Sequence, residues 1–139
     1  MGTDSALREL SNYIFIGIVS QYGKKKGTVI VTRPDQDDRT SAELYVMSRC
    51  THNTKDWWMP DIGEAVLCIL LPNTNGKGPG EGFVIGAHYS EADKPDETYD
   101  NNTRSIRYKD GSYIVNKSGA MEIHASKSLT MTAPVIRLN

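Results

Sequence analysis

The residues that could do chemistry in this sequence are few and widely spaced. Cys50 and His52 are close enough to begin a metal site, but further ligands would have to come from His88 or His124. Zinc sites draw about four ligands from characteristic short spacings, and those spacings are missing. The second cysteine, Cys68, lies inside an apolar run and is predicted to be a buried small hydrophobic residue. The sequence therefore predicts no metal and no cofactor.

Other patterns associated with binding or catalysis are incomplete. Asp35, Asp37 and Asp38 lack the glycine and the distal glutamate that a calcium-binding loop places at set positions. The glycine-rich segment 73–82 (NTNGKGPGEG) lacks the spacing of a phosphate-binding loop and precedes a strand pattern rather than a helix. No nucleophile-elbow motif supports serine catalysis. We expect no enzyme activity and no catalytic residues.

Length and charge exclude several classes of protein. The chain has 139 residues and a net charge of −1. This length suits one ordinary domain, or one small domain with an appendage. Nucleic-acid-binding proteins usually carry a basic excess, so the charge disfavours that class. No apolar run approaches the ~20 residues of a membrane span, and no signal-peptide pattern is seen.

Five short β-prone segments separated by polar or glycine-rich turns occupy residues 13–89. The segments are 13–19, 28–32, 42–47, 65–71 and 83–89. Gly17 and Gly86 interrupt two of them, as expected where the strands of a small barrel bend. The pattern predicts an all-β fold with a five-stranded OB-fold barrel over residues 13–90. Residues 1–12 form a polar lead segment, which is either a short helix or a mobile docking segment.

Composition changes after the barrel. Residues 91–102 are acidic and contain a proline, so they are predicted to be a linker, and residues 103–139 alternate apolar and polar side chains. Short strands with one apolar stripe cannot form a core alone. The stripe must be buried by the barrel, by another protein or by identical chains, and an intertwined β-prism of identical chains fits the pattern. The predicted core of such a prism consists of Ile106, Tyr108, Met121, Ile123, Leu129, Met131, Ile136 and Leu138.

Four segments in order resemble one known family. Residues 57–67 (WWMPDIGEAVL) and 83–90 (FVIGAHYS) are similar to two barrel motifs of the phage baseplate assembly protein V family. Residues 106–112 (IRYKDGS) and 120–138 resemble the opening and the repeats of its β-helix. The family consists of central spike proteins of contractile phage tails, with relatives in R-type bacteriocins and related injection systems. The barrel signature then consists of Trp57, Trp58, Pro60, Gly63, Gly86 and Tyr89.

The resemblance implies a structural virion protein rather than an enzyme. It implies a homotrimer whose OB-fold domains seat on the tail hub protein at the baseplate centre. Residues 103–139 would form a trimeric β-helical, membrane-piercing needle that enters the target cell envelope when the sheath contracts. Longer members hold iron through a His-x-His pair at the tip, which this sequence lacks, so we expect no iron and either a blunt tip or a PAAR-type tip protein. Assembly is expected in the cytoplasm of the producing cell, within a phage or tail-like particle.

The alternative is a monomeric OB-fold module that binds single-stranded nucleic acid. Stacking contacts would come from Tyr13, Phe15, Trp57 and Trp58, and phosphate contacts from the basic turn 24–26. Adjacent strand residues face opposite sides, so the tryptophan pair is more simply explained by one packed and one surface indole. The leading prediction includes no nucleic-acid partner.

Overall fold

The computed structural model describes residues 2–139, which divide into two compact units. The first unit ends at Lys94, and the second comprises Pro95–Asn139. These described residues are mostly β with one α-helix, and a short 3-10 turn follows the second strand. The elements are α1 (Thr3–Leu10), β1 (Ile14–Tyr22), β2 (Thr28–Arg33), the 3-10 turn (Pro34–Gln36), β3 (Arg39–Thr40), β4 (Leu44–Val46), β5 (Ala65–Pro72), β6 (Pro79–Ala87), β7 (Thr103–Arg107), β8 (Tyr113–Lys117) and β9 (Ala120–His124).

Five strands of the first unit close into a barrel. Going round it, β1 pairs with β2, β2 with β4, β4 with β6, β6 with β5, and β5 again with β1. The β4–β6 pair is parallel and the others are antiparallel. This is an OB-fold-like barrel, as the strand pattern predicted. The polar segment before β4 holds the additional strand β3, which extends the sheet beyond β2.

The first strand takes part in closure along its whole length. Its start pairs with β5 through Ile18, and its end pairs with β2 from Ile18 onward. The register shifts between Val19 and Gln21, so the irregularity lies beyond Gly17, where a bulge or bend was expected. Gly17 instead leaves room for the Val31 side chain, because a Cβ at residue 17 would lie 2.5 Å from Val31 Cγ2.

The barrel interior is a small aliphatic core. Cys68 is fully buried, which confirms its prediction as a small hydrophobic residue, and burial raises the pKa of its thiol to about 11. Trp58 and Met59, in the long segment between β4 and β5, pack against this core. The core residues are Phe15, Val19, Val29, Val31, Leu44, Val66, Cys68 and Val84.

A buried arginine packs over the core near the start of β1. The Arg33 guanidinium carbon lies 3.7 Å from the Phe15 ring centroid. Its Nη2 donates hydrogen bonds to Ser11 O at 2.7 Å and to Asp35 Oδ2 at 3.0 Å. These partners compensate the cation for its lost water. Phe15 is only 6% exposed, so the expectation that it stacks on a nucleic-acid base is wrong.

The second unit is a three-stranded antiparallel sheet. It has the order β7–β8–β9, with tight turns at Gly111 and Gly119, where the backbone has positive φ. Residues 125–139 form no strand, although their alternation predicted strands around 129–133 and 136–138. A strand needs a neighbour for its backbone hydrogen bonds, and the described part of the single chain, residues 2–139, offers these residues none.

Two strand glycines give a matched test of the barrel packing. We expect Gly17→Ala to lower the free energy of unfolding by about 1–3 kcal/mol, because the stiff, β-branched Val31 cannot easily move away. Gly86→Ala is the control, since a Cβ there meets nothing within 4 Å, and its effect should stay within ~0.5 kcal/mol. Urea unfolding at one protein concentration measures both. Equal losses would contradict this packing.

The cysteines should differ in reactivity. Cys50 is partly exposed, whereas Cys68 is buried with a raised thiol pKa. A thiol-specific maleimide at pH 8 should therefore modify one thiol per native chain and both after denaturation. Cys50→Ser should remain unmodified until the chain unfolds, as mass spectrometry would show.

The raised pKa of Cys68 also makes the free energy of unfolding depend on pH. Because the folded state favours the neutral thiol, Cys68 contributes fully to stability below its ordinary pKa, and this contribution is lost as pH rises through about 11.

Candidate assembly surface

The second unit presents an unbroken apolar row across its three strands. Ile106 of β7 pairs with Ile114 of β8, which pairs with Ile123 of β9. Since side chains alternate between the faces of a strand, these isoleucines lie on the same face, and Met121 joins them two residues from Ile123. We call these four residues the isoleucine face.

Nothing within the unit covers the isoleucine face. Ile106 is 56% exposed, Ile123 57% and Met121 69%. None of the residues Pro95–Asn139 is classed as buried. A folded unit normally buries apolar side chains to offset the conformational entropy that it loses. This unit lacks that burial as a single copy.

The opposite face is polar, and its side chains bind one another. The Tyr99 hydroxyl accepts hydrogen bonds from Ser105 Oγ and Arg107 Nη2, both at 3.0 Å, and these bonds lower the pKa of Tyr99. Tyr113 stacks on His124 with ring centroids 5.1 Å apart. His124 is exposed on this face. The polar face therefore needs no partner to satisfy these groups.

The C-terminal segment also lacks a partner. In the part of the chain that the structure describes, residues 127–139 make no hydrogen bond to one another or to other residues. Their apolar side chains are open to solvent, with exposures from 51% for Ile136 to 88% for Leu138. Leu129 and Met131 are exposed as well. A segment of this kind offers both backbone groups and apolar side chains to another chain.

The predicted prism core is brought together in part. Ile106, Met121 and Ile123 share the isoleucine face, whereas Leu129, Met131, Ile136 and Leu138 lie in the segment without strands. Tyr108 follows β7 directly and is half exposed. Sequence reasoning missed Ile114, the central member of the row. Its signal was its place in the β-prone segment 113–115, but only the register shows that it joins two other isoleucines.

The signature residues of the barrel separate into packed and exposed groups. Trp58 packs on the core and donates its indole N–H to Met47 O at 2.8 Å, while Trp57 is 65% exposed. This is the division expected of a structural tryptophan pair. Pro60 is fully buried, and its carbonyl oxygen accepts a hydrogen bond from Tyr22 at 3.1 Å. Gly63 has a φ of +94°, which glycine adopts without strain, and Gly86 lies in β6. Tyr89 is 71% exposed.

The candidate metal ligands do not assemble. Within residues 2–139, no three His, Cys, Asp or Glu side chains are placed to hold one ion. Asp35 pairs with Arg33, and both Asp37 and Asp38 have left-handed backbone. Over the same residues, no helix has the length and apolarity to span a bilayer.

The isoleucine face and the C-terminal segment favour association with another polypeptide over a reaction on a small molecule. Apolar burial and strand pairing are the interactions that they offer. No model of a known protein family matches the chain, and no curated protein matches it.

Proposed function

We propose that this chain is the central spike protein of a contractile, tail-like injection machine and acts as a homotrimer. The observation that carries the proposal is the isoleucine face, fully formed and uncovered in a unit that buries no residue. In the trimer, three copies of this face would meet on a common axis, and residues 125–139 would add strands to neighbouring chains. Mutual burial would then supply the missing core.

The turns of the second unit support this assignment. Asp110 Oδ1 accepts a hydrogen bond from Ser112 N at 2.9 Å, and Gly111 between them has a φ of +95°. This is the Asp-Gly-Ser segment that resembles the start of the family's β-helix. It reverses the chain so that Ile106 and Ile114 become cross-strand neighbours.

The proposed work is mechanical. A trimer in which strands pair between chains has few free edges to fray, so force from sheath contraction would reach the tip without unfolding the needle. The barrels would seat on the tail hub protein at the baseplate centre. The needle, blunt or capped by a PAAR-type protein, would pierce the target cell envelope. The place of action is a phage virion or tail-like particle assembled in the cytoplasm of the producing cell, and no enzymatic step is involved.

The alternative, a single-strand-binding module, has one supporting feature. Lys25 Nζ lies 5.9 Å from the Tyr45 ring centroid, and Lys26 Nζ lies 5.6 Å from that of the exposed Trp57. The turn between the first two strands is a usual ligand-binding part of OB folds. With Phe15 buried, however, this site is smaller than the sequence predicted. It also leaves the isoleucine face unexplained.

The mass in solution tests the proposal. Light scattering of the full chain over a range of concentrations should give about 46 kDa, which is three chains of 15.4 kDa. Ile123→Lys should weaken the trimer at least tenfold, because it places a charge in the apolar contact. The matched control is Ala120→Lys, which adds the same side chain to the same strand on the opposite face.

The outcomes separate the candidate functions. A chain that stays monomeric at every concentration would contradict the spike, and salt-dependent binding of a single-stranded oligonucleotide by that monomer would favour the alternative. A trimer that tolerates Ile123→Lys as well as Ala120→Lys would show that the isoleucine face is not its core.

A further inference from the structure

Three adjacent strands of the barrel are apolar on their outer surface as well as inside. In β1, Phe15 and Val19 point into the core, so Ile14, Ile16 and Ile18 point outward. The same alternation in β5 and β6 turns a second set of apolar side chains outward. We call the following residues the outer barrel face: Ile14, Ile16, Ile18, Leu67, Ile69, Leu71, Phe83 and Ile85.

The strand register makes this surface continuous. Ile14 pairs with Ile69, which pairs with Phe83, and Ile16 pairs with Leu67. Ile14 is 47% exposed and Ile16 42%. An antiparallel sheet with one solvated face alternates apolar and polar residues, whereas near-continuous apolar strands are covered on both faces. The composition of this surface therefore indicates that a partner covers it.

The helix α1 is a second uncovered apolar element of the same unit. Ala6, Leu7 and Leu10 have the spacing of one helical stripe, and Leu7 is 59% and Leu10 52% exposed. The helix has no buried residue. An eight-residue helix is marginal in water unless its apolar side packs on something.

The helix cannot turn back onto its own outer barrel face. Only Ser11, Asn12 and Tyr13 separate it from β1. Ser11 O accepts a hydrogen bond from Arg33 at 2.7 Å, and Tyr13 O accepts one from Leu70 N at 2.8 Å. These bonds fix the exit of the helix at the end of the barrel. Its stripe is left free for another molecule.

We propose that α1 of one copy packs on the outer barrel face of a neighbouring copy. The sizes agree, since eight helical residues extend ~12 Å and the face measures ~13 Å along residues 14–18 and ~10 Å across three strands. Neither the helix stripe nor the face contains a charged side chain, so their contact desolvates no charge. Helix on face is a head-to-tail contact, and such contacts close into a ring when the rotation from copy to copy is a whole fraction of a turn, as in a trimer. Only the number of copies in that ring, three, rests on the proposed function.

Thiol cross-linking in the full chain tests this contact. The background variant is Cys50→Ser, which leaves only the buried Cys68. Leu7→Cys combined with Ile16→Cys, treated with a short bismaleimide, should give covalent dimers and trimers. Neither single variant should do so. The matched control combines Leu7→Cys with Ile62→Cys, because Ile62 is 53% exposed but lies off the outer barrel face.

Each of four other results would overturn the inference. Cross-linking of Ile16→Cys alone would show that two outer faces meet each other. An intrachain link between residues 7 and 16 would show that the helix covers its own barrel. A chain that has the mass of a trimer and reactive thiols, but forms no link, would overturn this contact and leave the spike standing. A monomeric chain would overturn both proposals. Leu10→Cys in place of Leu7→Cys repeats the test if the first variant fails to fold.

Discussion

The structure depends on one constraint: the apolar face of the sheet in the second unit has to be covered. The second unit forms three well-paired strands and satisfies many polar groups on one face, yet it buries no residue. Backbone hydrogen bonds alone do not stabilise a sheet of this size, because each replaces a hydrogen bond to water and the net gain in free energy is small. Its row of Ile106, Ile114 and Ile123 must therefore be covered. Identical chains are the simplest cover, because each brings the same row and the same unpaired C-terminal segment.

The barrel, unlike the second unit, buries apolar side chains within a single chain. Its closed sheet surrounds a core of its own, and Arg33, held by Ser11 and Asp35, packs over Phe15 without leaving a charge unpaired. Even so, β1, β5 and β6 remain apolar outside. Both units thus expose neighbouring apolar side chains, an arrangement that is typical of surfaces that bind another protein. We interpret both surfaces as parts of one assembly of identical chains.

The parts of the fold that could be predicted are those that local sequence controls. Alternation and turn residues located the five barrel strands, and an apolar run located the buried Cys68. The features that could not be predicted depend on register and packing. The sequence does not show which face of β1 carries Phe15, and the fold places this ring in the core under the Arg33 guanidinium. Ile114 joins the apolar row only through its pairing on both sides. The apolar run of β5 predicted a buried strand but not that Leu67 and Ile69 would face outward.

Hydrogen exchange of the backbone amides in residues 127–139 tests the central claim most directly. Residues 2–139 of one chain offer these amides no hydrogen-bond partner, so in a monomer they should exchange as fast as those of an unfolded peptide. If copies of the chain supply the partners, many of them should be protected as strongly as the amides of β8, and dilution below the association range should remove that protection. Fast exchange throughout 127–139 in a protein with the mass of a trimer would contradict the account.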